Sequence, residues 1–186
     1  MKYLFGLTAF AAVVGLTTGV SLASSHVTYE VTVTNNMDEE LLAPVLVAPV
    51  SEDGKIFVER YVSPEAEHQI LTGDPGMLAE AIGDDAAVAH GMDGPPGVLL
   101  APGKSITFEV ASHAEEVRVL AMVAPTMYED HYVTAVVQLN GEPMAIGLDR
   151  FDIGYDEGRK TIEPVAVAVA TVEVSKKQDF SAKQDY

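Results

Sequence analysis

The chain contains no cysteine and no tryptophan in its 186 residues. The lack of cysteine excludes disulfide bonds, thiol catalysis and cysteine-ligated zinc. It also excludes a bacterial lipid anchor, since no cysteine lies near an export cleavage site. The fold must therefore depend on its hydrophobic core or on a bound ion. The lack of tryptophan carries little information by itself.

Basic residues are scarce, because 11 lysines and arginines stand against 28 acidic residues. A chain this acidic repels phosphate backbones and anionic lipid, so we expect neither nucleic acid nor an anionic membrane surface as a partner. Acid-rich chains can be disordered, but a hydrophobic content of 48% favours a folded domain here.

The motifs of several enzyme classes are also absent. The sequence has no Gly-x-Ser-x-Gly elbow, no P-loop and no dinucleotide-binding glycine motif. No two of its five histidines have the i, i+4 spacing of helical zinc sites: His26, His68, His90, His113 and His131. His90 and His131 stand out because both lie in predicted loops near carboxylates. We expect a protein that is not an enzyme.

The N-terminus has the pattern of a secretory signal peptide. Lys2 precedes an apolar run over residues 4–20, and Ser21 and Ala23 are small residues at the spacing that signal peptidase requires. The alternative is an uncleaved membrane anchor, which needs about 20 apolar residues. Threonine and glycine residues interrupt the run before that length. The pattern predicts cleavage after Ala23 and a secreted or periplasmic protein.

Removal of residues 1–23 leaves 163 residues, with ten basic residues against 28 acidic ones and a net charge of −18. This length suits one domain, which we place at residues 24–174. Residues 175–186 are predicted to form a polar C-terminal tail. No transmembrane segment is expected after cleavage of the signal peptide.

The mature part has the alternating pattern of β-strands. Valine and tyrosine alternate with polar residues over 26–35, as in a half-buried strand. Pro44 and Pro49 place any strand within residues 41–50 at a sheet edge or interrupt it. Further strands are predicted over residues 55–58, 98–100, 105–110, 116–123, 133–139 and 165–174. Seven or eight strands joined by turns indicate an all-β, antiparallel β-sandwich.

A short helical insertion interrupts the strands. Ser63 and Asp74 are predicted N-caps, each followed directly by proline, and Gly83 is a predicted stop. One or two short helices are expected here, and their predicted buried face consists of Met77, Leu78, Ala81 and Ile82. The glycine- and proline-rich residues 86–97 are predicted to be a loop.

Two acidic loops stand apart from the other charged positions. One contains Glu129 and Asp130, and the other contains Asp152 and Asp156 between glycines that permit a tight turn. Carboxylates held close together repel, and a proton or a cation offsets that repulsion. Ca²⁺ takes six to eight oxygen ligands, so three aspartates at one end of a sandwich would supply part of a calcium site. The EF-hand pattern is absent.

Four segments, in order along the chain, resemble the spondin-type domain. Residues 31–35 and 42–47 resemble its opening strand, Thr-Asn and proline-containing stretch, and residues 100–108 match its Leu-x-Pro-Gly-x-Ser-x-Thr-Phe turn. Residues 120–133 resemble its Met-hydrophobic-Pro-Thr…Asp-aromatic segment. Residues 151–158 are similar to its Asp-Ala-Gly-Thr-Asp-x-Gly loop.

This resemblance implies a C2-like antiparallel β-sandwich that binds Ca²⁺ through aspartates of two loops. Carried over by position, the implied ligands are Asp130, Asp152 and Asp156. The resemblance also implies an adhesion-type module that contacts an extracellular or cell-surface protein or glycan. The partner itself is not named by the sequence.

The sequence departs from the spondin pattern in several places. The loop before Asp130 is longer, so Glu129 is an alternative ligand. Ile153 and Tyr155 replace a usual alanine and threonine, and Pro49 stands where many bacterial members have histidine. Three hypotheses follow: a calcium-stiffened binding module, a metal-dependent hydrolase, or an ion-free structural surface domain whose acids serve solubility.

Overall fold

The structure is a computed structural model that describes residues 27–89, 99–124, 130–140 and 142–177. The predicted signal peptide, residues 178–186 of the predicted tail, and most of the predicted loop at residues 86–97 lie outside the described residues. His26, His90 and Glu129 also lie outside them. No helix among the described stretches has both the length and the apolar character needed to cross a membrane.

Strands dominate the described residues, and the first of them, over residues 27–35, shows the predicted alternation of buried and more exposed residues. The strands are β1 (Val27–Asn35), β2 (Leu41–Leu42), β3 (Leu46–Pro49), β4 (Phe57–Val58), β5 (Tyr61–Val62), β6 (Ala87–Val88), β7 (Ser105–Ser112), β8 (Glu116–Ala124), β9 (His131–Gln138), β10 (Met144–Asp152) and β11 (Glu163–Lys176). Pro44 separates β2 from β3, as its missing N–H predicts.

The main sheet is antiparallel and has the order β6-β3-β8-β9-β10-β11-β1-β7. Its two halves face each other, because valines of β1 and β11 share one buried cluster with valines of β8 and β9. The hydroxyl of Tyr29 on β1 donates to the carbonyl of Leu139 beyond β9, at 3.1 Å. The prediction of an all-β antiparallel sandwich with a short helical insertion is confirmed.

Strand β10 joins the two halves of the sheet. Residues 149–152 pair with β9, while β11 pairs with residues 144–148 and again with residues 150–152, with register shifts between Leu148 and Phe151. No strand was predicted over residues 144–152, and Asp152, which was predicted to lie in a loop, is instead the last residue of β10. Gly147 interrupts the apolar pattern of this strand, and the close approach of β11 requires a glycine there. A Cβ at Gly147 would lie 2.7 Å from the Cβ of Ala168, which has a positive φ of 51°.

The predicted tail also begins too early, because β11 continues through Lys176. Its last residues pair with the first residues of β1, for example Lys176 with Tyr29. Sheet pairing therefore orders residues whose polar composition alone suggested a frayed end.

Two helices, α1 (Pro64–Thr72) and α2 (Gly76–Ile82), cover one end of the sheet. The Ser63 hydroxyl accepts from the amide of Ala66 at 3.1 Å, as the predicted cap requires. The predicted buried face of α2 is correct for Leu78 and Ile82 and wrong for Met77 and Ala81, which are exposed. Two turns packed on one side bury only an i, i+4 pair.

The helices and the 3-10 helix Val50–Lys55 enclose a second hydrophobic cluster, which contains Leu46, Ile56, Ile70, Leu120, Tyr132 and Ile153. Tyr132 stacks on Phe151 with ring centroids 5.5 Å apart. Burial raises the pKa of the Tyr132 hydroxyl above its ordinary value. This packing gives a firm apolar support to the start of β9 and the end of β10.

Candidate metal centre

Two buried aspartates meet where β9 begins and β10 ends. Asp130 directly precedes β9, and Asp152 is the last residue of β10. The antiparallel register places Asp152 opposite His131. Asp130 is 1% exposed and Asp152 is 9% exposed. Two carboxylates are thus buried at one end of the sandwich, where charged groups need partners.

Asp130 organises the loop that follows β10. One of its oxygens, Oδ2, accepts from the amide of Tyr155 at 2.7 Å and from the amide of Asp156 at 3.4 Å. The loop can curl around this carboxylate because Gly154 and Gly158 adopt φ values of 65° and 73°. The tight turn predicted from the two glycines is therefore present.

The other oxygen of Asp130, Oδ1, is buried and has no hydrogen-bond partner among the described residues. Asp152 differs, because both of its oxygens are bound. Its Oδ1 accepts from the amide of Gly154 at 2.5 Å, and its Oδ2 accepts from Arg159 at 2.9 Å. A buried carboxylate oxygen without a partner is costly, and it calls for a ligand.

Asp130 belongs to two groups of side chains that can hold a metal ion. The first is Asp130, His131 and Asp152, all buried, and the second is Asp130 with the exposed Asp156 and Glu157. Within each group the ligand atoms lie within 4.8 Å of one another. Of the three predicted ligands, Asp130 therefore lies close to each of the other two, while Asp152 and Asp156 fall in different groups.

Glu157 was not among the predicted ligands, although it directly follows Asp156 in the glycine-flanked turn. Its position next to a predicted ligand was the one available signal. His131 was noted for its nearby carboxylates, but it is the first residue of β9 rather than a loop residue.

The imidazole of His131 is held by an arginine. Its Nδ1 accepts from the Nε of Arg150 at 2.9 Å, and Arg150 makes a bidentate pair with Glu40 at 2.5 and 2.9 Å. Burial and Arg150 lower the pKa of His131, against the opposing effect of Asp152, Asp130 and Glu40. His131 is therefore neutral at pH 7. Since Nδ1 accepts, the ring proton lies on Nε2, and neither nitrogen offers a lone pair to a metal in this state.

Arg159 is the cation nearest to the second group. It contacts Asp152 at 2.9 Å, Glu157 at 2.8 Å and Glu163 at 2.6 Å. Its hydrogen bonds to Glu157 and Glu163 raise the pKa of the guanidinium above its ordinary value, so it stays charged. Arg159 thus offsets part of the negative charge of these carboxylates. It also engages an oxygen of Glu157, a possible metal ligand.

Comparison with known proteins adds no family assignment. No protein-family model matches this chain, and no curated protein matches it either. The spondin-type resemblance therefore stays a prediction that rests on the four sequence segments.

Proposed function

We propose that this chain is an exported, non-enzymatic binding module of spondin type, and that Asp130, Asp156 and Glu157 bind one Ca²⁺. The observation that carries the proposal is the unpartnered, buried Oδ1 of Asp130, on the side chain that lies beside two exposed carboxylates. A cation would satisfy this oxygen and offset the repulsion between the three carboxylates.

Calcium is favoured because the second group offers only oxygen ligands, which Ca²⁺ prefers together with backbone carbonyls and water. The first group would need His131 as a nitrogen ligand, as zinc and other transition metals prefer. That role requires His131 to give up Arg150 or to change its ring proton. Asp152, bound to Gly154 and Arg159, supports the loop in this proposal rather than binding the ion directly.

A bound ion would stiffen residues 153–158 and fix the exposed ring of Tyr155, whose amide already binds Asp130. Stiff loops suit an adhesion-type contact with an extracellular or cell-surface protein or glycan, because less ordering is needed on binding. Extracellular calcium modules commonly have a Kd of about 10⁻⁴–10⁻³ M. This range fits the predicted secreted or periplasmic location.

Thermal unfolding in calcium tests the proposal. At a calcium concentration about 100 times Kd, the site should add about 2.7 kcal/mol, or a rise in Tm of about 5–10 °C. Asp156→Asn should lose most of this rise, whereas the matched control Asp84→Asn, at an exposed turn position, should keep it. A parent protein whose Tm does not respond to calcium would contradict the proposal and favour the ion-free structural domain.

A metal-dependent hydrolase is the second candidate, and one observation favours it. A groove of about 1030 Å³ reaches His131 and Arg150 beside the buried Asp130 and Asp152. In this case zinc or manganese should bind more tightly than calcium, and His131→Gln should abolish binding while Asp156→Asn should not. Ester, phosphoester and glycoside substrates tested with the zinc-loaded protein would then show turnover.

A further inference from the structure

The first half of β11 has an unpaired side. β1 pairs with β11 only from Ala170 onward, and the amide of Asn36 donates to the carbonyl of Val169 at 3.2 Å just beyond that point. On this side, no described strand pairs with residues 163–168. β10 pairs with the opposite side of Glu163, Pro164 and Ala166. The extended stretch ends at Ala168, which has a φ of 51° and whose amide donates to Asp149 at 2.9 Å. Unpaired backbone groups at a strand edge can accept another strand.

Apolar side chains project from this edge. Val167 is 79% exposed and Val165 is 50% exposed, although both are β-branched residues that normally pack. Pro164 precedes them, and proline within a sheet is confined to edges and irregular positions. Among the described strands, this stretch therefore combines a free edge with exposed valines.

A groove lies at this edge, next to the residues that follow the end of β1. Val165, Val167, Ala168 and Val169 line it together with the segment at residues 36–40, His131 and Arg150. Asp38 and Glu39 in that segment are exposed and form no ion pair with a described residue. Glu40 is instead engaged by Arg150. The groove therefore combines apolar residues of β11 with two exposed carboxylates, while the guanidinium of Arg150 in its lining is already paired with Glu40.

We propose that an extended segment of a partner protein adds to residues 163–167 of β11 as an antiparallel strand. Its backbone would hydrogen-bond to β11, its apolar side chains would cover Val165 and Val167, and its lysines or arginines would face Asp38 and Glu39. A second copy of this chain fits less well, because self-pairing would bring two strongly acidic surfaces together. This interaction surface is separate from the proposed calcium ligands.

A synthetic peptide can test the surface directly. The probe is a fluorescent Thr-Lys-Val-Thr-Val-Lys-Thr peptide. One matched control has glutamate in place of each lysine, and the other has methyl groups on alternate backbone amides. Anisotropy should show binding of the probe in the millimolar range or tighter, and each control should bind at least about tenfold more weakly. Absent binding at about 1 mM, or equal binding of the N-methylated peptide, would overturn the proposal.

Matched protein variants locate the contact. Val167→Lys and Glu39→Lys should each weaken binding of the probe peptide by at least about tenfold. Val58→Lys should leave binding unchanged, because Val58 is an exposed strand valine on the separate β4–β5 hairpin. Equal losses in all three variants would contradict the proposed location. Circular dichroism and thermal melting verify that each variant is folded.

Two further measurements distinguish the addition of a partner strand from calcium-dependent binding and from self-association. Binding of the probe should persist in a calcium chelator, so a failed calcium site would not remove it. Sedimentation of the parent should show a monomer at micromolar concentrations. If the parent is a dimer and Val167→Lys dissociates it, a second copy of the chain occupies this edge instead of a partner strand. That result would overturn the proposal.

Discussion

Asp53 and Asp130 are two acidic residues that the fold treats in opposite ways. Asp53, in the 3-10 helix, binds Arg118 through both oxygens at 2.7 and 2.6 Å. Arg118 also donates to Thr134 and lies over the ring of Phe57 at 4.9 Å. Asp130 has only backbone donors on one oxygen and no partner among the described residues on the other.

The difference separates a carboxylate that supports the fold from one that is prepared for a ligand. Asp53 has a fixed, bidentate partner, so a cation would gain little there. Asp130 is more deeply buried and yet less satisfied, which is an arrangement that a structural role alone does not require. The comparison predicts that the two residues respond differently to substitution and to calcium.

The largest effect on the metal-free protein is expected at Asp53. Asp53→Ala leaves Arg118, whose side chain is 16% exposed, without its carboxylate. We expect a loss of about 1–3 kcal/mol in the free energy of unfolding, measured by urea denaturation, with and without calcium. A loss that calcium restores would remove the distinction between the two residues.

Asp130→Asn should behave in the opposite way in a chelator. The carbonyl of asparagine can still accept from Tyr155, and the substitution removes one negative charge beside Asp152, Asp156 and Glu157. We expect the free energy of unfolding to stay the same or to rise by up to about 1 kcal/mol. A loss as large as that of Asp53→Ala would show that Asp130 supports the fold in the same way.

The predictable part of the fold lies where local pattern and tertiary structure agree. Apolar and β-branched runs predicted β1, β7, β8, β9 and β11, and serine before proline predicted the start of α1. The predicted cap Asp74 is wrong by one residue, because Pro75 is the N-cap of α2 and the helix begins at Gly76. The whole of β10 was missed, because Gly147, which the close approach of Ala168 on β11 requires, and the charged residues after it interrupt a two-residue apolar period. Such packing constraints are set by another strand and leave no local signature.

The candidate site was predictable only in part for the same reason. Asp152 and Asp156 each lie two residues before a glycine, so they stood out in the sequence. The burial of Asp130 and the missing partner of its Oδ1 among the described residues depend on a loop 25 residues away. The Glu40–Arg150 pair, whose guanidinium donates to the His131 ring, joins residues 110 positions apart. No spacing rule connects residues at that separation.

Arg159 provides a smaller test, because it competes with calcium for Glu157. Arg159→Gln should bind calcium more tightly than the parent, since the ion then displaces no guanidinium. Lys160→Gln is the matched control, because Lys160 is the adjacent cation and lies 3.6 Å from Glu67 instead. Equal increases in both variants, measured by calcium titration, would indicate a general charge effect and not competition at the site.

The smallest expected effect concerns pH. Because the pKa of His131 is lowered from its ordinary value of 6.5, the unfolded chain takes up this proton more readily than the folded one. The contribution of His131 to stability is therefore complete above about pH 6.5 and is lost as the pH falls below that value. When the pH is lowered from 7 to 5 in the presence of a chelator, the free energy of unfolding should decrease less in His131→Gln than in the parent. An identical loss would contradict the assigned neutral state.

Calorimetric titration of the mature protein with calcium tests the central claim most directly. We expect one site per chain with a Kd of about 10⁻⁴–10⁻³ M. Binding should be lost in Asp130→Asn and retained in Asp53→Asn. Absence of calcium binding by the parent, or equal binding by the parent and Asp130→Asn, would contradict the proposed site.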